Sequence, residues 1–119
     1  MVYLADTTSE ADPARVREAV GRCRESFQAV DWGVHLHSDA PGWPDKLQAA
    51  LDAGARRLDS AVLGMGGCPF ARSGLVGNLP TEGVVDWLES RGIRTGVDRN
   101  RLTRCVQSAR RIAEAYGTS

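Results

Sequence analysis

Net charge is what this sequence lacks first: fifteen basic residues stand against fifteen acidic ones. No long-range field therefore draws the chain to nucleic acid or to an anionic membrane. Lysine is nearly missing as well, fourteen of the fifteen basic residues being arginine. That bias reads as genome composition and not as a binding signal, and the arginines of the last helix spread over more than one face. No apolar run approaches the roughly 20 residues of a bilayer span. The amino terminus lacks the basic-then-apolar order of an export signal, so a cytoplasmic protein is expected. Cysteine is scarce and odd in number, three in all, which argues against a disulfide framework. Cys23 and Cys105 fall on apolar helix stripes, where buried thiols are expected. There is no repeat beyond a strand-helix rhythm and no linker, and 119 residues make one domain.

What is present is a glycine-rich stretch from Gly64 to Glu82, with five glycines and two prolines. It follows Ala61-Val62-Leu63, which reads as the end of a buried strand, and precedes Val84-Val85-Asp86-Trp87-Leu88, the inner face of a helix. Such a strand-to-helix loop takes backbone conformations closed to other residues and approaches a ligand closely. It carries one thiol, Cys68, and one side-chain amide, Asn78.

The rest of the chain alternates in the same way. Met1 to Ala5 is a short strand, and Asp12-Pro13 opens a helix with the aspartate as N-cap. Its apolar stripe is Val16, Ala19, Val20, Cys23 and Phe27. Trp32 to His37 is the second strand, Trp43 to Ala53 a helix stopped by Gly54, and Arg57 to Leu63 the third strand. Thr81 is expected to cap the next helix and Asp98 the last, whose apolar positions are Leu102, Val106, Ala109, Ile112, Ala113 and Tyr116. This order predicts an α/β fold with parallel strands and right-handed crossovers. Asp6 with Thr7, His35 with His37, and Cys68 with Asn78 all fall at carboxyl ends of strands, the functional face of such sheets.

His35 and His37 are the chain's only histidines, two apart on a strand, so both side chains point to one face. They are either two hydrogen-bonded rings at a strand end or a pair of ligands for one divalent ion, with the Asn78 oxygen as a third. Cys68 is either a thiol exposed by a mobile loop or a small residue filling a turn. Asp6 is open between a general acid or base, a substrate contact, and a cap for the turn behind it. Asp59 lies inside a strand and receives no role.

These residues together resemble the hydroxymethylglutaryl-CoA lyases, metal-dependent lyases built on a TIM barrel. Gly66-Gly67-Cys68-Pro69 through Gly77-Asn78 and Thr81-Glu82 is similar to the family's glycine loop. His35-Leu36-His37 is similar to its metal-binding pair, Asp6-Thr7 to an Asp-Thr ending an earlier strand, and Gly92 to Asp98 to its tail. The likeness runs from about residue 2 to 105. It implies cleavage of 3-hydroxy-3-methylglutaryl-CoA to acetyl-CoA and acetoacetate. His35, His37 and Asn78 would bind Mg²⁺ or Mn²⁺, Cys68 would take part in acid–base chemistry, Asp6 would assist catalysis, and Thr7 would lie against the substrate.

In two places the sequence departs from that pattern. Ser38 and then Asp39 follow the second histidine, where the family most often has Asp directly. No segment corresponds to the first barrel strand, which supplies an arginine and an acidic metal ligand. A full barrel takes about 250 residues, so the expected fold is a partial TIM barrel, its last three strand-helix units and a carboxyl-terminal helix. The chain is then a truncated lyase, a complementing subunit of a split barrel, or a non-catalytic assembly module retaining a weak metal site. Unpaired sheet edges and an uncovered inner face lead one to expect self-association or a companion chain, with an acyl-CoA as substrate and neither nucleic acid nor membrane as partner.

Overall fold

Three parallel strands, β1 (Val2–Asp6), β2 (Trp32–Leu36) and β3 (Arg57–Leu58), lie side by side in chain order. This is a computed structural model, and it describes residues 1–39, 41–67 and 76–116. Helix α1 (Pro13–Ser26) joins β1 to β2, and α2 (Trp43–Asp52) joins β2 to β3. Helices α3 (Thr81–Ser90) and α4 (Arg99–Tyr116) follow the glycine loop. The expected strand-helix alternation is therefore present, as a partial α/β barrel.

The period of two along β2 divides the sheet into two faces. Val34 and Leu36 turn toward the helices and join Val16, Val20, Leu47, Ala49, Ala50, Leu79 and Val84 in one core. Gly33 and His35 turn the other way. At Gly33 a Cβ would lie 2.5 Å from Cε1 of Tyr3, its register partner on β1, so only glycine lets that ring lie across the sheet. Trp43 at the start of α2 meets Trp87 of α3 edge-on with centroids 6.3 Å apart, linking the helices around the core.

Local signals read correctly. Asp12 Oδ1 accepts from the Arg15 N–H at 2.8 Å, Pro13 takes the first turn of α1, and Gly54 follows α2 in a left-handed conformation. Asp98 Oδ1 accepts from the Arg101 N–H at 3.0 Å and caps α4.

Non-local expectations needed correction. The third strand does not run to Leu63: it pairs with β2 only at Arg57 and Leu58, and Val62–Gly64 forms a 3-10 turn with Leu63 at φ 60°. The returning loop takes over the ladder, with Ala61 N–H donating to Leu79 and Thr81 N–H donating to Ala61. Thr81 is the first residue of α3 and not its cap; its hydroxyl meets Ser60 Oγ at 2.9 Å. Of the α1 stripe, Val16 and Val20 are buried, whereas Ala19 and Phe27 are exposed and Cys23 is half-buried. Cys105 is exposed and no described residue of α4 is buried; that helix rests mainly on the 3-10 turn and α3.

Candidate functional site

His35 sits on β2 and His37 one step past its end, both on the face away from the helices. Their rings stand 5.1 Å apart, with Nε2 to Nε2 at 3.1 Å. His37 is buried, and its Nδ1 lies 2.9 Å from the carbonyl oxygen of Val76. A carbonyl only accepts, so this Nδ1 carries the proton. His35 Nδ1 lies 3.1 Å from Asp59 Oδ2, and an ionised carboxylate imposes the same tautomer. Two neutral imidazoles so oriented present bare lone pairs to each other across 3.1 Å. That arrangement calls for a shared proton or a cation between them. Two ligands about 2.0–2.1 Å from one ion, at right angles, stand about 3 Å apart. The pair therefore fits a divalent ion, with Asp59 and the Val76 carbonyl as the outer groups that aim the ligands.

Asn78 is brought to the same place. Its backbone forms an antiparallel bridge with His37, and the Ser38 N–H donates to Gly77 at 3.2 Å. Its Nδ2 donates to the carbonyls of Met65 and Gly66 at 2.8 and 3.2 Å. Two carbonyls around one amide nitrogen fix which way the amide faces. The remaining atom is a carbonyl oxygen, the donor type a hard divalent ion takes. Among the described residues no group of three or more His, Cys, Asp or Glu could hold a metal.

The other expected residues are placed differently. Asp6 follows Leu4 on the helix-facing side of β1, and its Oδ2 lies 3.0 Å from Lys46 Nζ, side chains 11% and 8% exposed. Only its main chain joins the pair, its carbonyl accepting from the His37 N–H at 3.0 Å. Thr7 is exposed. Cys68 lies outside the described residues.

Beside Asn78 opens a cleft of about 540 Å³, walled by Ser9, Ser38, Asp39, Trp43, Asn78 and Pro80 among others, with neither histidine in its wall. Sequence reasoning passed over Lys46 and gave Asp59 no role. The signal for Lys46 was there: it is the sole lysine among fourteen arginines, three and four residues before the buried Ala49 and Ala50. For Asp59 the signal was weaker, a carboxylate within a strand just upstream of the loop.

Comparison with known proteins matches residues 1–108 to the HMGL-like family. The mitochondrial hydroxymethylglutaryl-CoA lyase of Homo sapiens is 34% identical over 85% of this chain and 31% of its own. The (R)-citramalyl-CoA lyase of Chloroflexus aurantiacus is 35% identical over 85% of this chain and 32% of its own. A solved HMG-CoA lyase from Acinetobacter baumannii, in complex with coenzyme A and 3-methylmalate, superposes with a TM-score of 0.80 at 36% identity. That superposition covers 90% of this chain and 35% of the lyase. The chain spans about a third of the length of the curated relatives it matches. No helix among the described residues is long and apolar enough to cross a membrane.

Proposed function

We propose that this chain, which belongs to the HMGL-like family, forms the metal-holding part of a carbon–carbon lyase acting on 3-hydroxy-3-methylglutaryl-CoA. The products are acetyl-CoA and acetoacetate. His35, His37 and the Asn78 oxygen hold the ion, Mg²⁺ or Mn²⁺. The observation that carries this reading is the facing Nε2 pair, 3.1 Å apart with both Nδ1 positions occupied by acceptors.

A divalent ion bound there would supply Lewis-acid stabilisation of the carbonyl that develops as the bond breaks. The chain's own residues do the rest of what it contributes. Asp59 keeps the His35 lone pair turned inward, and the Val76 carbonyl does the same for His37. Met65 and Gly66 hold the Asn78 amide nitrogen so that its oxygen is left for the ion. Cys68, on the same loop, is proposed to move the proton between hydroxyl and departing enolate, by its likeness to the family's loop cysteine.

A second reading, a complementing subunit of a split barrel, is favoured by the open flank of the sheet. Among the described residues β1 pairs on one side only, and Val2 and Ala19 are exposed beside it. In this reading a companion chain brings the missing barrel units.

The test is acetyl-CoA formation by the purified chain with Mn²⁺, using hydroxymethylglutaryl-CoA and citramalyl-CoA in parallel, with Cys68→Ala and His35→Ala/His37→Ala as controls. Turnover that needs the histidines supports the lyase site, and the preferred thioester names its substrate. Turnover untouched by loss of both histidines refutes the site. A folded chain that binds Mn²⁺ through the histidines but turns over nothing alone points to the split-barrel reading.

A further inference from the structure

Lys46 is the only lysine of the chain and only 6% exposed. An ammonium has three N–H bonds, and four oxygens surround this one. Asp6 Oδ2 is at 3.0 Å, Ser9 Oγ at 2.9 Å, the Ser9 carbonyl at 3.2 Å and the His37 carbonyl at 3.3 Å. The acceptors come from three segments: the end of β1, the connection to α1, and the residue after β2. Ser9 is one of two non-glycine residues at positive φ among those described, at 60°. A residue with a Cβ keeps that conformation only where its surroundings impose it. Both oxygens of Ser9 accept from Lys46, and Ser9 walls the same cleft as Asn78.

We propose that Lys46 is a positioning residue: its ammonium pins the His37 main chain to the end of β1 and Ser9 in its left-handed turn, and so sets the histidine pair and the cleft wall. His37 has three anchors: its N–H on the Asp6 carbonyl, its own carbonyl on Lys46, and its ring on the Val76 carbonyl. Two of these run through the ion-paired Asp6 and Lys46. Apolar side chains at positions 6 and 46 together would pack about as well, since a buried ion pair adds little net stability over its replacement as a pair. What the ammonium adds is direction toward four oxygens at the strand ends.

The functional readout rests on the metal reading above, so the experiment separates the two. The full chain, Lys46→Met, and Asp6→Leu/Lys46→Met are titrated with Mn²⁺ alone by electron paramagnetic resonance. Their histidine ring nitrogens are followed by ¹⁵N NMR without metal, and folding by circular dichroism. Both variants are expected to keep their helix content, to lose the fixed Nδ1–H signature of His37, and to bind Mn²⁺ about 10-fold more weakly, the lower end for loss of an outer-shell partner. Should Lys46→Met fail to fold, the double variant, which leaves no unpaired charge, carries the test. A folded variant with the wild-type His37 signature and Mn²⁺ affinity overturns the proposal. A wild-type chain that binds no Mn²⁺ overturns the metal reading alone, and the NMR signature then decides the role of Lys46.

Discussion

Asp59→Asn tests the site through a residue that would touch neither metal nor substrate. In the native chain its carboxylate can only accept, so His35 keeps its proton on Nδ1 and its lone pair on Nε2. An asparagine can present its N–H₂ instead, and the ring then populates the other tautomer, with the proton on the ligating nitrogen. Loss of such an orienting partner costs 10–100-fold in metal affinity. The lower end applies here for two reasons. The Asp59 side chain is 49% exposed, so water can replace part of its bond. His37 is oriented by a main-chain carbonyl that the substitution leaves in place. The expected loss is about 10-fold, or about 1.4 kcal/mol, read as the Mn²⁺ dissociation constant. In a His35→Ala background the same substitution should change nothing further, because its effect passes through that ring. An Asp59→Asn chain with unchanged Mn²⁺ affinity, or an equal loss in both backgrounds, refutes the assignment.

Three further substitutions probe the frame around it. Leu47 is fully enclosed, so Leu47→Ala should destabilise the chain by about 3 kcal/mol in urea denaturation, within the range for buried leucines. Gly64 has φ +63° and a Cβ there would lie 2.8 Å from the main-chain carbonyl oxygen of Asn78. Gly64→Ala should therefore cost about 1–3 kcal/mol in strain and weaken Mn²⁺ binding with it; a lowered Tm without weaker binding would remove Asn78 from the ligand set. Ala19→Arg should leave the unfolding free energy of the isolated chain within about 0.5 kcal/mol, as for an ordinary surface change. It should nevertheless reduce association with a second copy or companion chain in sedimentation experiments, and unchanged association would free that flank of any role.

Legibility in the sequence followed the range of the interaction involved. The Asp12 and Asp98 caps bond to residues three positions on, so short stretches sufficed to place both helix starts. Alternation along β2 was enough to put His35 and His37 on one face. The end of β3 was not legible, because what replaces the strand is the pairing of Ala61 with Leu79 and Thr81, across a long loop. Nor was the partner of Asp6. Alternation puts its side chain on the face of Leu4, but the ion pair exists only once Lys46, forty residues away, is packed against it. Asp59 needed the same kind of knowledge, since its role exists only when β3 lies beside β2 and its carboxylate meets His35.

The residues whose burial was overestimated carry information of their own. Periodicity assigns Ala19 to the apolar stripe of α1 with Val16 and Val20, yet only the latter two are buried. The difference follows from where each points. Val16 and Val20 are covered by the core that includes β2 and α2 and also line a small apolar groove beside β1 with Leu4 and Ala11, whereas Ala19, on the same groove, stays exposed. In a barrel that flank is where the preceding strand-helix unit packs, and the solved lyase that superposes on 90% of this chain has nearly two-thirds of its own length outside the match. A stripe wider than its burial is what a helix carries when its layer continues beyond the residues at hand. The proposal that further barrel units complete this site thus rests on the mismatch between pattern and burial on α1 as well as on length.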